Sequence, residues 1–253
     1  MRYFIKLAYN GTAYHGWQVQ NNATTVQEVI EDGMRRIFEK RIPLVGAGRT
    51  DAGVHAREFY AHFDYDFAMK ERELQKKTYK LNSFLPKDIS ISSIFRVQDD
   101  MHTRFDAISR TYEYIICTRK DPFINDFAWF VVPDLDVDLM NEGSKMLMEY
   151  DDFTSFAKLH SQSKTNHCNV MEAKWEVRNH MLVFNIKADR FLRNMVRAIV
   201  GTLVELGQAK IDLDELRRII EAKDRSEAGY SVPAQGLYLK KIEYPDEITG
   251  DRK

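Results

Sequence analysis

Only two cysteines occur in the 253 residues, Cys117 and Cys168, and neither has a Cys-x-x-Cys or Cys/His companion nearby. A disulfide framework and a structural zinc site are both excluded on that ground, and the pair reads as ordinary thiols. No apolar run approaches the length of a membrane span, and Arg2 leads directly into a strand pattern where a secretory leader would sit. A soluble, cytoplasmic chain with no membrane partner is expected. Excess charge is missing too: 37 lysines and arginines stand against 38 acids, a formal charge of -1, which advertises no polyanionic partner. The spacing of glycines fits neither a dinucleotide fingerprint nor a P-loop, since no Gly-Lys-Ser/Thr follows any of them.

What is present is apolar content sufficient for one large domain or two small ones, and a charge distribution that is uneven. Arg96, Arg104, Arg110, Arg119 and Lys120 gather mid-chain, and Lys187, Arg190, Arg193 and Arg197 gather later. Between them lie Asp134, Asp136, Asp138, Glu142, Glu149, Asp151 and Asp152. A basic cleft and a solvated patchwork both fit this pattern.

Hydrophobic periodicity predicts strand 2–8, helix 26–38 behind a Thr25/Glu28 capping box, strand 42–45, strand 59–67, a helix from about 70 to Pro86, and strand 89–97. That is the ferredoxin-like order. The second half repeats the rhythm loosely: strands 111–118 and 128–132, helix 137–150, a hairpin of 169–178 with 181–188, helices 191–208 and 213–221, and strand 237–242. The fold class is therefore α+β, two related ferredoxin-like α/β-sandwich halves, 1–105 and 106–253, with mixed, mainly antiparallel sheets. No linker separates them, so the sheets can run on continuously across a cleft. The polar tail from Asp246 is expected to fray.

Gly46-Ala47-Gly48-Arg49-Thr50-Asp51-Ala52-Gly53-Val54-His55-Ala56 sets three glycines, an arginine and an aspartate in a loop between apolar runs. Such a backbone is built to bend sharply or to lie close to something else. The helix that follows Asp189 is apolar on nearly every side yet contains Arg197. A buried guanidinium is costly without a carboxylate partner. It can also snorkel outward or pair with Asp189 or Glu205, although eight residues in either direction is too far for a neighbour on one helix face. Arg190, Arg193 and Arg197 fall along one stripe of that helix. Tyr112 and Tyr114 share one face of their strand. His15, His55 and His62 fall far short of a metal ligand set, and no metal is expected.

The glycine loop resembles the catalytic motif of the TruA family of tRNA pseudouridine synthases. Further ordered similarities extend over nearly the whole chain: Tyr9-Asn10-Gly11-Thr12, His15-Gly16-Trp17-Gln18, Thr25-Val26-Gln27, Ser109-Arg110-Thr111-Tyr112-Glu113-Tyr114, Asp189 through Arg197, and Pro233-Ala234-Gln235-Gly236-Leu237. Met101-His102-Thr103-Arg104-Phe105 is similar with conservative departures, the family often having phenylalanine first and alanine before the arginine. The resemblance implies that Asp51 is the catalytic carboxylate and that Arg197 orients it. It implies that Tyr112 stacks on the target base and helps remove the C5 proton, and that Leu237 packs on uracil, although core packing serves equally for Leu237. Arg49 beside Asp51 binds phosphate or fills the gap of an extruded base, or forms a simple salt bridge. Arg190, Arg193 and Arg110 are candidates for contact with RNA phosphates or for a solvated rim. The implied reaction is isomerisation of uridines 38, 39 and 40 in the tRNA anticodon arm by a homodimer without cofactor or metal.

A glycoside or nucleoside hydrolase is the rival enzyme; it wants a second carboxylate, which no loop offers. An RRM-like binding module is the non-enzymatic rival, and the aromatic pattern of its strands is missing.

Overall fold

The computed structural model describes residues 1–132, 135–158 and 165–249; Asp134 of the acidic cluster lies outside them. The chain forms two compact units, one of Met1–Ile108 with the chain from Leu239 onward, the other of Ser109–Tyr238.

In the first unit, β1 (Arg2–Tyr9), α1 (Val26–Phe38), β2 (Val45–Gly46), β3 (His55–Asp64), α2 (Glu71–Phe84) and β4 (Ile89–Arg96) follow in the expected sequence. The strands are all antiparallel in the order β4-β1-β3, with β2 on β3; Ile5 lies opposite both Ala61 and Ile94. As the central strand, β1 buries both faces. Tyr3 stacks on Phe63, which meets Phe38 of α1, whereas Phe4 packs against Phe95 and His62 on the opposite face. Thr25 caps α1 by accepting from the Glu28 N–H, and Val26, Ile30, Met34 and Phe38 form its buried stripe.

The second unit contains β5 (Ser109–Cys117), β6 (Trp129–Phe130), α3 (Val137–Met146), β7 (Val170–Arg178), β8 (Met181–Ala188), α4 (Met195–Gly207) and α5 (Leu213–Ala222). Its strands run β5-β8-β7, antiparallel, and β6 pairs in parallel with β5. The β7–β8 turn is the expected two-residue Asn179-His180, with Asn179 left-handed at φ 57°. Asp136 and Asp212 cap α3 and α5, and the three helices pack on one another around an almost wholly buried α4.

The last strand, β9 (Leu237–Glu243), spans the division: from Leu239 it belongs to the first unit, where it neighbours β3 and Ile242 N–H donates to Glu58 Oε1. The α+β class with mainly antiparallel sheets holds. Several boundaries differ from expectation. Helix α4 starts at Met195 because Asn194, at φ 69°, is left-handed and cannot continue a helix backwards to Phe191. Strand β3 begins at His55, inside the glycine loop motif, and β2 is Val45–Gly46. Beyond Met146, α3 tightens into a 3-10 turn over Leu147–Glu149. In the tail, Asp246–Thr249 form one helical turn. Among the described residues, no helix is long and apolar enough to cross a membrane.

Candidate active site

The Asp51 loop fills the gap between β2 and β3, and its shape is imposed by residues far away in sequence. Gly16, at φ 86°, lies flat against it: a Cβ there would collide with the Thr50 carbonyl oxygen. At Gly11 a Cβ would collide with the Val54 carbonyl oxygen, and at Gly46 with the Trp17 indole. Backbone approach this close leaves room for no side chain.

Hydrogen bonds then hold what the glycines permit. Trp17 N–H donates to Thr50 O (3.4 Å), Gly53 N–H to Tyr14 O (3.2 Å), and Val54 N–H to Asp51 O (3.2 Å). The Tyr9 hydroxyl and Thr50 Oγ1 are 2.9 Å apart. His55 Nδ1 accepts from Gly11 N–H at 3.0 Å, so this buried imidazole serves as a backbone tether. Rings of Tyr9, Trp17 and Phe59 close the floor, with Trp17 and Phe59 4.2 Å apart. Asp51 itself is half-buried, Arg49 exposed. A carboxylate on a loop fixed from three sides suits chemistry at a positioned substrate atom.

These supports are what sequence reading missed. Tyr9, Gly11, Gly16 and Trp17 stood out as motif matches without a role. Their signal was the pairing of glycine with a nearby aromatic in two successive short motifs, the pattern expected where one backbone lies against another.

The remaining candidates lie in the second unit. On β5, Tyr112 is half-buried and meets Phe191 edge-on, with ring centroids 5.0 Å apart. Arg110, opposite Ala188, donates to Asp189 O at 2.7 Å. Asp189 is occupied locally, its Oδ1 accepting from the N–H groups of Asn169 (2.8 Å) and Arg190 (2.7 Å). Of the expected stripe, only Arg197 is helical. Arg190 and Arg193 precede the Asn194 turn, Arg190 half-buried and Arg193 exposed, so the three do not share a helix face.

Arg197 is half-buried on α4, and its Nε donates to Val232 O at 2.6 Å, while Val232 N–H returns a bond to Arg197 O at 3.3 Å. The Tyr114 hydroxyl donates to the neighbouring Pro233 O at 2.8 Å. Together they fix the segment leading to Leu237, which is buried. Gly236 lies against the Tyr114 ring, with no room for a side chain. Burial pushes the Tyr114 phenol well above the ordinary tyrosine range, so it stays a protonated donor. Burial likewise pushes the Cys168 thiol up to about 12, an inert group.

Comparison with known proteins bears directly on this arrangement. A family model described as tRNA pseudouridine synthase matches residues 6–106 and 147–245. The tRNA pseudouridine synthase A of Parabacteroides distasonis is 49% identical over 247 residues, covering 98% of this chain and 97% of its own. That of Bacteroides fragilis is 49% identical over 248 residues, with 98% of both chains covered. At greater distance, the Thermoanaerobacter sp. protein of the same name is 38% identical over 95% of this chain and 98% of its own. The matched segments include the Asp51 loop, its glycine and aromatic supports, and α4 with Arg197. This chain belongs to the tRNA pseudouridine synthase family.

Proposed function

We propose that the protein isomerises uridine to pseudouridine at positions 38, 39 and 40 of the tRNA anticodon arm, with Asp51 as the catalytic carboxylate. The observation that carries the reading is the Asp51 loop: its backbone is clamped by Gly16, Gly11 and the Tyr9–Thr50 contact, within a chain of this family. The reaction breaks the C1′–N1 bond, turns the freed uracil, and joins C5 to C1′; C5 loses a proton and N1 gains one. Nothing is oxidised or reduced, and no cofactor or metal is required.

Asp51 acts either by adding to C1′ or by taking a proton from C2′, and either role requires an ionised, oriented carboxylate. Arg197 supplies that orientation in this reading, which is supported by a cation set in the first turn of a largely apolar helix. Tyr112 stacks on the target base, Leu237 packs against uracil, and Arg49 occupies the gap left by the extruded base. Arg110, Arg190 and Arg193 contact the RNA backbone. The protein works as a homodimer in the cytoplasm. RNA of this kind is read chiefly by shape and backbone.

Incubation with unmodified tRNA followed by mapping of pseudouridine tests the proposal. Product confined to positions 38 to 40 is expected, and Asp51→Asn should give none while retaining the wild-type melting temperature. Modification elsewhere, or appreciable turnover by the Asp51→Asn protein, would overturn it.

A further inference from the structure

Residues Met101–Ile108 follow β4 and form no helix or strand up to Ile108, yet the segment is tethered throughout. Arg2 Nη1 donates to Met101 O (2.9 Å), and His102 N–H donates to Asp106 Oδ2 (2.7 Å) while Asp106 N–H returns to His102 O (3.1 Å). Thr103 is fully buried. Its N–H reaches His62 Nδ1 at 3.3 Å, its hydroxyl donates to Val45 O at 3.0 Å, and its carbonyl accepts from the Tyr244 hydroxyl at 2.5 Å. Arg104 N–H donates to His102 Nδ1 at 3.1 Å.

On this anchor stands a graded stack. Buried His62 meets the His102 ring edge-on at 4.6 Å, and His102 in turn lies behind Phe105 at 4.3 Å and 38°. Phe105 remains 71% exposed. The Arg104 guanidinium lies over the Phe105 ring, 5.5 Å from its centroid and within cation–π range, while most of the ring's surface faces solvent. A lone exposed apolar residue needs no explanation. Here, however, a ring is backed by an imidazole on a hydrogen-bonded loop, with a guanidinium over it. Aromatic surface beside a guanidinium is the chemistry that receives an unpaired nucleobase: the ring stacks, and the cation meets phosphate or the base's other face.

We propose that Phe105, backed by His102 and flanked by Arg104, is a stacking platform for one unpaired base of the RNA substrate. The inference rests on the tRNA reading above and adds a binding residue to it. Because the loop is already ordered, little conformational entropy is lost when the base arrives. The contribution is independent of salt, since the stacking ring carries no charge.

The test uses the full-length protein with tRNA. Phe105→Ala and Phe105→Leu should each weaken tRNA binding by about 5- to 100-fold, because leucine restores apolar cover over His102 but has no π-face. Phe105→Trp should bind within about threefold of wild type, and its added fluorescence should be quenched, with saturation, as tRNA is titrated in. The slope of affinity against salt should match wild type in all three. Wild-type affinity in the alanine protein, rescue by leucine, or unquenched tryptophan would overturn the platform. A wild-type protein that neither binds nor isomerises tRNA would remove the enzyme reading and the platform with it, whereas an active wild type with an indifferent Phe105→Ala removes only the platform.

Discussion

A methyl group at position 16 has nowhere to go: the φ of 86° disfavours any L-residue, and the Thr50 carbonyl already occupies the space. Gly16→Ala should therefore destabilise the first unit by about 3 kcal/mol and displace Thr50, one residue from Asp51. Urea denaturation and turnover should register the change together; full activity at reduced stability would mean that the loop's shape does not matter. A second residue-scale expectation concerns His62. Burial first, then the positive charge of Arg2 and the neighbouring His102, hold its pKa down to about 4, against the opposing pull of Asp64 and Asp106. Between the ordinary value near 6.5 and about 4, the unfolded chain binds a proton that the folded chain refuses. Stability should be intact above pH 6.5 and fall by up to about 3 kcal/mol as pH drops toward 4. His62→Asn, which keeps an acceptor without titrating, should flatten that slope in melting curves; the residue still contributing is His102, also lowered by burial. The bent loop that carries Asp51 was legible in the sequence because its motif is local and dense. Its dependence on Tyr9 and Gly16 was not, since contacts across 41 and 34 positions are set by how β1 and the following loop fold back.

At the scale of elements, the caps were readable, and the short strands were readable in place but not in extent. Thr25 with Glu28 announced α1 within four residues, because a capping bond is made by neighbours. Strands expected at 42–45 and 128–132 shrink to the two residues each of β2 and β6, because only pairing with β3 and β5 sets their extent. The start of α4 was misread for a related reason: the apolar pattern runs on through Phe191 and Leu192, but Asn194 breaks the backbone, its side-chain amide donating to Ser231 Oγ. Asparagine tolerates the left-handed conformation better than most residues, and glycine better still. Asn194→Ala should cost about 1 to 2 kcal/mol, from backbone strain plus the lost bond, and Asn194→Gly less. Equal losses in denaturant titrations would show that only the Ser231 contact matters.

For the molecule as a whole, the proposed function pairs Asp51 with Arg197, 146 residues further along the sequence. Arg197→Met in a chain with Asp51 intact should destabilise more than Arg197→Met in the Asp51→Asn background, with a coupling energy on the order of 1 to 3 kcal/mol. The bond from Arg197 to Val232 O is lost in both backgrounds and cancels from the cycle. Additive losses would separate the two residues. Affinity for tRNA should also fall steeply with salt despite the formal charge of -1, because local arginines, not net charge, release counterions. The central claim, that Asp51 drives isomerisation and not hydrolysis, meets its most direct test in tRNA carrying tritium at uridine C5. The account predicts tritium release by the wild-type protein with no free uracil, and none by Asp51→Asn; free uracil in the product, or release that survives the substitution, would contradict it.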